Sequence, residues 1–378
     1  MKKVLFVATV VKTHIMEFHI PFLKMFKENG WETYVAARND YENPDDCKIP
    51  YCDHFFDVKF ERNPLKIQNL RAYRELKNII DSEEFDIIHC HTPVGGLLTR
   101  LAARNARNHK TKVFYTAHGF HFYKGAPLIN WLVYYPVEKL LSKYTDVLIT
   151  INKEDYNIAK DFNSKDIYYV PGVGVDLEKF NLDYVDGDKK RKELGLKTDD
   201  FVILSVGELI PRKNHEVVIR ALSVLQKDNS SEHIEYVICG RGVYEENLRS
   251  LARELKVESK VHFLGYRNDI PEICKCSDLF VFMSHQEGLP VALMEAMACG
   301  LPVICSDIRG NTDLIENELS GIVIKNDPKH IATAITKIRD NIKIRQGLVS
   351  RALKKIELFS LKNVEMKMAE IYGLKQKQ

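Results

Sequence analysis

No stretch of this 378-residue chain reaches the roughly 18 apolar residues that a membrane-spanning helix needs, so a helical membrane span drops out of the reading. There is no excess of one charge either: 55 Lys and Arg face 52 Asp and Glu, a formal net charge of +3. A general nucleic-acid binder would carry a larger basic excess, so any cationic function must be local. The first apolar run is not followed by Gly-x-Gly-x-x-Gly, which argues against a dinucleotide-dependent dehydrogenase. The eight cysteines contain no zinc-knuckle spacing, since Cys274 and Cys276 are separated by one residue rather than two. Cys90, Cys239 and Cys305 end apolar runs, as reduced, buried thiols of a cytosolic protein would.

The composition is that of an ordinary globular protein, with 45% hydrophobic, 28% charged and 10% aromatic residues, and the length suits two domains. After Met1-Lys2-Lys3, the apolar run ends at Lys12 without a small-residue cleavage site and reads as a first strand rather than a signal peptide. Short apolar runs then alternate with longer amphipathic segments. The predicted strands are Val4–Ala8, Thr33–Ala37, Asp86–Cys90, Val113–Thr116, Val147–Ile151 and Ile167–Val170, followed by Val202–Val206, Tyr236–Cys239, Val261–Leu264, Leu279–Met283, Val303–Cys305 and Gly321–Ile324. Near-continuous hydrophobicity is what strands buried on both faces require, and the segments between them supply right-handed crossovers. The fold class is therefore α/β, with two doubly wound Rossmann-like domains facing a central cleft. Between the two series, Asp176–Asp200 is rich in charge (Asp183, Asp186, Asp188, Lys189, Lys190, Arg191, Lys192) and reads as a linker with a short helix. The expected domains are 1–174 and 175–359, with a final amphipathic helix in 360–378 packing back on the first.

The most specific segment runs from Ser284 to Val303. A strand ends in a loop carrying Glu287 and Gly288, Pro290 stands near the first turn of a helix, and Glu295 lies inside that helix among apolar residues. Free N–H groups at such a helix start suit diphosphate oxygens. Arg212 and Lys213 follow a strand and a Pro211 turn and are expected to open a helix, where two cations oppose its macrodipole and point to an anionic ligand.

Together these segments resemble the GT-B nucleotide-sugar glycosyltransferases of family four, whose hallmark is a Glu-x7-Glu pair, here Glu287 and Glu295. The resemblance covers nearly the whole chain, including Pro171–Phe180, Val206–His215, Gly265-Tyr266-Arg267 and Ser306–Gly310. It implies that Glu287 lies against the donor sugar and that Glu295 accepts from the ribose hydroxyls. It implies that Gly207, Gly240, Arg241, Tyr266, Arg267, Gly288, Leu289, Pro290 and Val291 surround the nucleotide. Lys213 matches the family lysine that clamps the leaving diphosphate; the family arginine is Glu208 here, with Arg212 as the candidate replacement. In the first half, His118 in Ala117-His118-Gly119 matches the loop whose histidine contacts donor sugar and acceptor. His14 follows the first strand, where relatives carry glycines that are absent here, and His91 is read as lining the cleft on the acceptor side. His89, Cys90 and His91 alternate along a strand with no carboxylate nearby, so no metal is expected there. Asp186-Gly187-Asp188 lies in the polar stretch and reads as a turn. No cofactor or metal is implied.

Arg100, Arg104 and Arg107 recur at helical spacing with Lys110 and Lys112 beyond, and residues 131–144 mix aromatics with lysines, a pattern suited either to an anionic membrane surface or to a core helix with a solvated cationic face. The expected activity is a retaining hexosyl- or N-acetylhexosaminyltransferase that uses a UDP-sugar and a polyprenyl-diphosphate-linked or polysaccharide acceptor in bacterial envelope or capsule synthesis. The expected place is cytoplasmic, with peripheral attachment to the inner face of the plasma membrane and no nucleic acid as partner. Domain closure would exclude water from the donor. A nucleotide-sugar epimerase on the same fold and a non-catalytic nucleotide-sugar-binding protein are the alternatives.

Overall fold

The computed structural model describes residues 1–180, 185–228 and 233–375; Asp183 of the polar stretch and the last three residues of the C-terminal segment lie outside them. The chain forms two compact units, Met1–Val173 together with the segment from Val364 onward, and Gly174–Asn363.

The first unit is built on an all-parallel sheet of β1 (Lys3–Val10), β2 (Glu32–Arg38), β3 (His54–Asp57), β4 (Ile87–His91), β5 (Lys112–Ala117), β6 (Val147–Thr150) and β7 (Asp166–Tyr169), in the order β3-β2-β1-β4-β5-β6-β7. Residues Leu5 and Val7 of β1 enter one core with Tyr34, Ile88 and Val113. On the opposite face Val4, Phe6 and Ala8 pack with Phe26, Val35 and Phe114, which explains why this strand reads as an unbroken apolar run. The edge strand β3 is the one that hydrophobicity did not mark, because His54 is exposed and Phe55–Asp57 are only half-buried. From the C-terminal helix Leu361–Tyr372, residues Val364, Met368 and Tyr372 join the first unit's core, and the Tyr372 hydroxyl lies 2.6 Å from Nδ1 of His89.

The second unit repeats the plan with β8 (Phe201–Val206), β9 (Ile234–Cys239), β10 (Val261–Gly265), β11 (Leu279–Phe282), β12 (Val303–Ser306) and β13 (Ile322–Ile324), in the order β10-β9-β8-β11-β12-β13, all parallel. The helix His215–Lys227 buries Val217, Val218, Ala221, Leu222 and Leu225 against this sheet, a helical period that its sequence carries plainly. Asp186 is not a simple turn residue: its carboxylate caps the helix Gly187–Glu193 by accepting from the Lys189 N–H at 3.0 Å. Arg191 anchors that helix to the sheet, donating to the Asp200 carbonyl (2.8 Å) and to Asp278 (2.7 Å). All eight cysteines are free thiols.

In each sheet the strand order reverses at a central pair, β1/β4 in the first unit and β8/β11 in the second. Crevices outside the carboxyl ends of such pairs are where ligands of open α/β sheets bind.

Candidate functional site

At the second unit's reversal point, the chain leaves β8 through Gly207 and makes a single 3₁₀ turn at Pro211–Lys213. The following helix begins only at His215, after Asn214 in the left-handed region (φ 55°). Arg212 and Lys213 therefore precede the helix rather than opening it, and the macrodipole argument does not apply to them. A carboxylate holds them instead: Glu287 Oε1 accepts from Lys213 Nζ at 2.8 Å and from Arg212 Nη1 at 3.1 Å. Arg212 also donates to the Gln286 carbonyl at 2.8 Å, and its own carbonyl accepts from the His285 N–H at 2.9 Å. Lys213 Nζ stands 4.9 Å from the Phe282 ring centre. Two cations on one carboxylate oxygen leave the group net positive, and the guanidinium is 42% exposed, so an incoming diphosphate can compete for both.

Glycine backbone packing shapes the same crevice. A Cβ on Gly240 (φ 154°) would lie 1.9 Å from the Gly207 carbonyl oxygen, and one on Gly310 would lie 2.4 Å from that of Gly288. The Gly240-Arg241-Gly242 loop is thus glycine because two backbones touch. Pro290 is the cap of the helix Val291–Ala298 rather than part of its first turn; Leu289 is buried, Val291 half-buried, and Glu295 is half-buried inside the helix. Arg241 and Tyr266 are exposed. Asp269 accepts from the Arg267 guanidinium at 2.7 and 2.5 Å. Arg267 and Lys190 together hold the Asp269 carboxyl well below the usual range. Glu208, at the family's arginine position, is an exposed carboxylate, and Arg212 is the guanidinium beside Lys213.

The first unit's reversal point carries a different chemistry. After β1 the chain makes a π-helical turn at Val11–Ile15. This turn points His14 toward His19, His91 at the end of β4 and His118 after β5. The ring centres of His19 and His91 are 3.8 Å apart, and those of His14 lie 5.0 Å from both His19 and His118. Sequence reading singled out His14, His91 and His118 but missed His19; two histidines five apart, unremarkable on an α-helix, face one another across a π turn. Nε2 of His14, both ring nitrogens of His19 and Nε2 of His91 are buried without a hydrogen-bond partner. Each such atom costs about 1–3 kcal/mol of uncompensated desolvation. Burial pushes His118 down to about 4, and burial with neighbouring imidazoles holds His14, His19 and His91 well below their ordinary value, so the cluster is neutral near pH 7. His89 plays a structural part: Tyr372 and Thr116 occupy its two nitrogens at 2.6 and 2.8 Å, and burial lowers it to about 3. Next to His91, β-branched Thr92 is held at φ 63°, its hydroxyl 2.6 Å from that of Thr9, a strained residue at the crevice.

Beside the histidines opens a largely apolar cavity of about 500 Å³, lined by Val10, Val94, Leu97, Val137 and Leu141 with His14 and Arg62. Arg62 is exposed and makes no side-chain hydrogen bond or ion pair among the described residues. The helix Leu128–Leu141 forms one wall of this cavity, and its outer face exposes Leu128, Ile129, Leu132 and Leu140. The continuous cationic face expected over 100–112 is not formed. The helix Pro93–Ala102 ends before Arg104, Arg100 is 1% exposed with Glu138 at 2.8 and 3.2 Å, and Arg107 pairs with Asp146 at 2.7 Å. The acids that neutralise it lie more than thirty residues away in sequence. Only Arg104, Lys110 and Lys112 of that set remain exposed. Among the described residues no helix is long and apolar enough to cross a membrane.

Residues 186–355 match the family model described as glycosyl transferases group 1, and residues 3–152 match the one described as glycosyl transferase 4-like. A Bacillus subtilis (strain 168) chain named as the glycosyltransferase EpsD is 41% identical over 376 residues, covering 98% of this chain and 96% of that one. The Escherichia coli UDP-Gal:alpha-D-GlcNAc-diphosphoundecaprenol alpha-1,3-galactosyltransferase is 36% identical over 295 residues, 76% of this chain and 75% of the other. In three dimensions the chain is similar to Anabaena Alr3699/HepE, solved in complex with UDP and glucose, with a TM-score of 0.80 at 18% identity, covering 99% of this chain and 100% of that one. Two Rossmann-like units, a Glu287–Lys213–Arg212 group and a Glu-x7-Glu helix thus join two family matches and a full-length relative: the chain belongs to the GT-B glycosyltransferases of the family-four type.

Proposed function

We propose that the protein is a retaining glycosyltransferase that moves a hexose or N-acetylhexosamine from a UDP-sugar to a polyprenyl-diphosphate-linked sugar, on the cytoplasmic face of a bacterial membrane, in envelope or capsule synthesis. The observation that carries this reading is the pairing of Lys213 and Arg212 on Glu287 at the crevice of the second unit. When a UDP-sugar enters, the two cations turn from the carboxylate to the diphosphate and stabilise the charge that develops on the leaving UDP without needing a metal at that point. Glu287, released from its partners, accepts from sugar hydroxyls, and Glu295 accepts from the ribose. In a front-face reaction the departing phosphate oxygen takes the acceptor proton.

A lipid-linked acceptor is supported by the first unit. The apolar cavity can take the start of an isoprenoid chain, the unpaired Arg62 at its lining suits a diphosphate, and the exposed aliphatic face of the helix Leu128–Leu141 suits the interfacial region of a bilayer. The E. coli relative is named for a diphosphoundecaprenol acceptor. The test is transfer of labelled sugar from UDP-galactose, UDP-glucose and their N-acetylamino counterparts to a polyprenyl-diphosphate N-acetylglucosamine. Product on the lipid supports the reading, an isomerised donor would indicate an epimerase, and donor binding without turnover would indicate a binding protein.

A further inference from the structure

The donor chemistry leaves the histidine cluster of the first unit unexplained. One ring nitrogen from each of His14, His19, His91 and His118 can be chosen so that all four lie within 4.8 Å of one another. Nδ1 of His91 and Nε2 of His118 are already 3.3 Å apart. Metal–imidazole bonds of about 2.0–2.1 Å place the ligand nitrogens of a tetrahedral site about 3.3–3.4 Å apart, so this pair is spaced as two ligands of one ion. Beside them lies a small cavity of about 20 Å³ bordered by His19, His89, His91 and His118, enough for one small occupant. Four ring nitrogens of His14, His19 and His91 are buried and unpartnered, and His118 is partly exposed, which provides an entry path.

We propose that His14, His19, His91 and His118 bind one divalent transition-metal ion, with Zn²⁺ as the expected occupant of an all-imidazole site. A single ion takes one lone pair from each neutral ring: with Nδ1 of His91 and Nε2 of His118 as two ligands, Nε2 of His14 and one nitrogen of His19 supply the others, which gives two of the four orphaned nitrogens a partner. His89 acts behind the ligands: its nitrogens are engaged by Tyr372 and Thr116, and its ring, 4.1 Å from that of His91, fixes the orientation of that ligand. The ion ties the π turn after β1 to the ends of β4 and β5. Because imidazoles bring no negative charge, the bound ion stays net positive, and His14 extends that field to the cavity that Arg62 shares.

The test uses the full chain stripped with a chelator and titrated with Zn²⁺ alone, followed by calorimetry and by the melting temperature. One ion per chain at submicromolar Kd is expected, with a rise in Tm on loading. His14→Ala, in the π turn after β1, and His118→Asn, in a partly exposed loop, should each weaken binding at least 100-fold while melting cooperatively without metal. Co²⁺ in place of Zn²⁺ should give the visible bands of a four-coordinate nitrogen site with no thiolate charge-transfer band. Absence of stoichiometric binding in the wild type, or binding that survives both substitutions, or a thiolate band, would overturn the proposal. None of these readouts depends on sugar transfer, so the metal site and the transferase reading fail separately.

Discussion

Lys213 donates to Glu287 at 2.8 Å, and in the proposed reaction it turns to the leaving diphosphate. Lys213→Ala is expected to lower the rate of transfer by a factor of about 10²–10³, in the range for loss of one preorganised charge-stabilising donor, with little change in melting temperature. Single-turnover kinetics check this, and a loss under about threefold would remove Lys213 from the mechanism. His215, the residue that opens the next helix, carries a pH signature. Burial, aided by the Lys213 charge, pushes its imidazole down to about 4, against about 6.5 in an unfolded chain. Between those values the unfolded chain binds more protons, so this contribution to stability is complete above pH 6.5 and is lost as the pH falls toward 4. In His215→Gln the Tm deficit relative to wild type should be largest at pH 7.5 and shrink by pH 5; a constant deficit would show that the imidazole does not titrate in that window. Glu287 and Glu295 were legible because their spacing is set within one strand–loop–helix segment, and Lys213 because it stands in a short turn directly after a buried strand. His19 was not, because its meaning depends on a π turn and on β4 and β5.

Between elements, the pair Arg100–Glu138 fastens the helix Pro93–Ala102 to the helix Leu128–Leu141 inside the first unit, with the Arg100 guanidinium 3.9 Å from the Tyr115 ring centre. Removing one partner of such a pair strands a poorly solvated charge. Arg100→Met should destabilise the protein by about 3–5 kcal/mol in urea unfolding, and adding Glu138→Leu should recover most of the loss. A double variant no better than the single would show that the charge itself is not the problem. The strands of both sheets could be read from sequence because burial on two faces leaves a continuous apolar run. The edge strand β3 left no such run, and the supposed basic face at 100–112 failed because Arg100 and Arg107 find acids on other elements.

For the whole molecule, two parallel sheets with the same strand order in their shared part offer two crevices with different equipment, cations on a carboxylate in one and neutral imidazoles beside an apolar cavity in the other. The exposed aliphatic face of the helix Leu128–Leu141 carries the membrane prediction. Leu128→Asp with Leu132→Asp, both on the surface, should reduce co-flotation with anionic vesicles at least tenfold at unchanged Tm. Equal flotation would place any membrane contact elsewhere. The central question remains the chemistry at Glu287, and it is addressed most directly by the anomeric configuration of the lipid-linked product, read by nuclear magnetic resonance after incubation with an α-configured UDP-sugar and a polyprenyl-diphosphate sugar. The expected result is an α-linked product that forms with wild type and falls by at least 100-fold with Glu287→Gln. A β-linked product, or an α-linked product formed at an undiminished rate by Glu287→Gln, would contradict retaining transfer at this site.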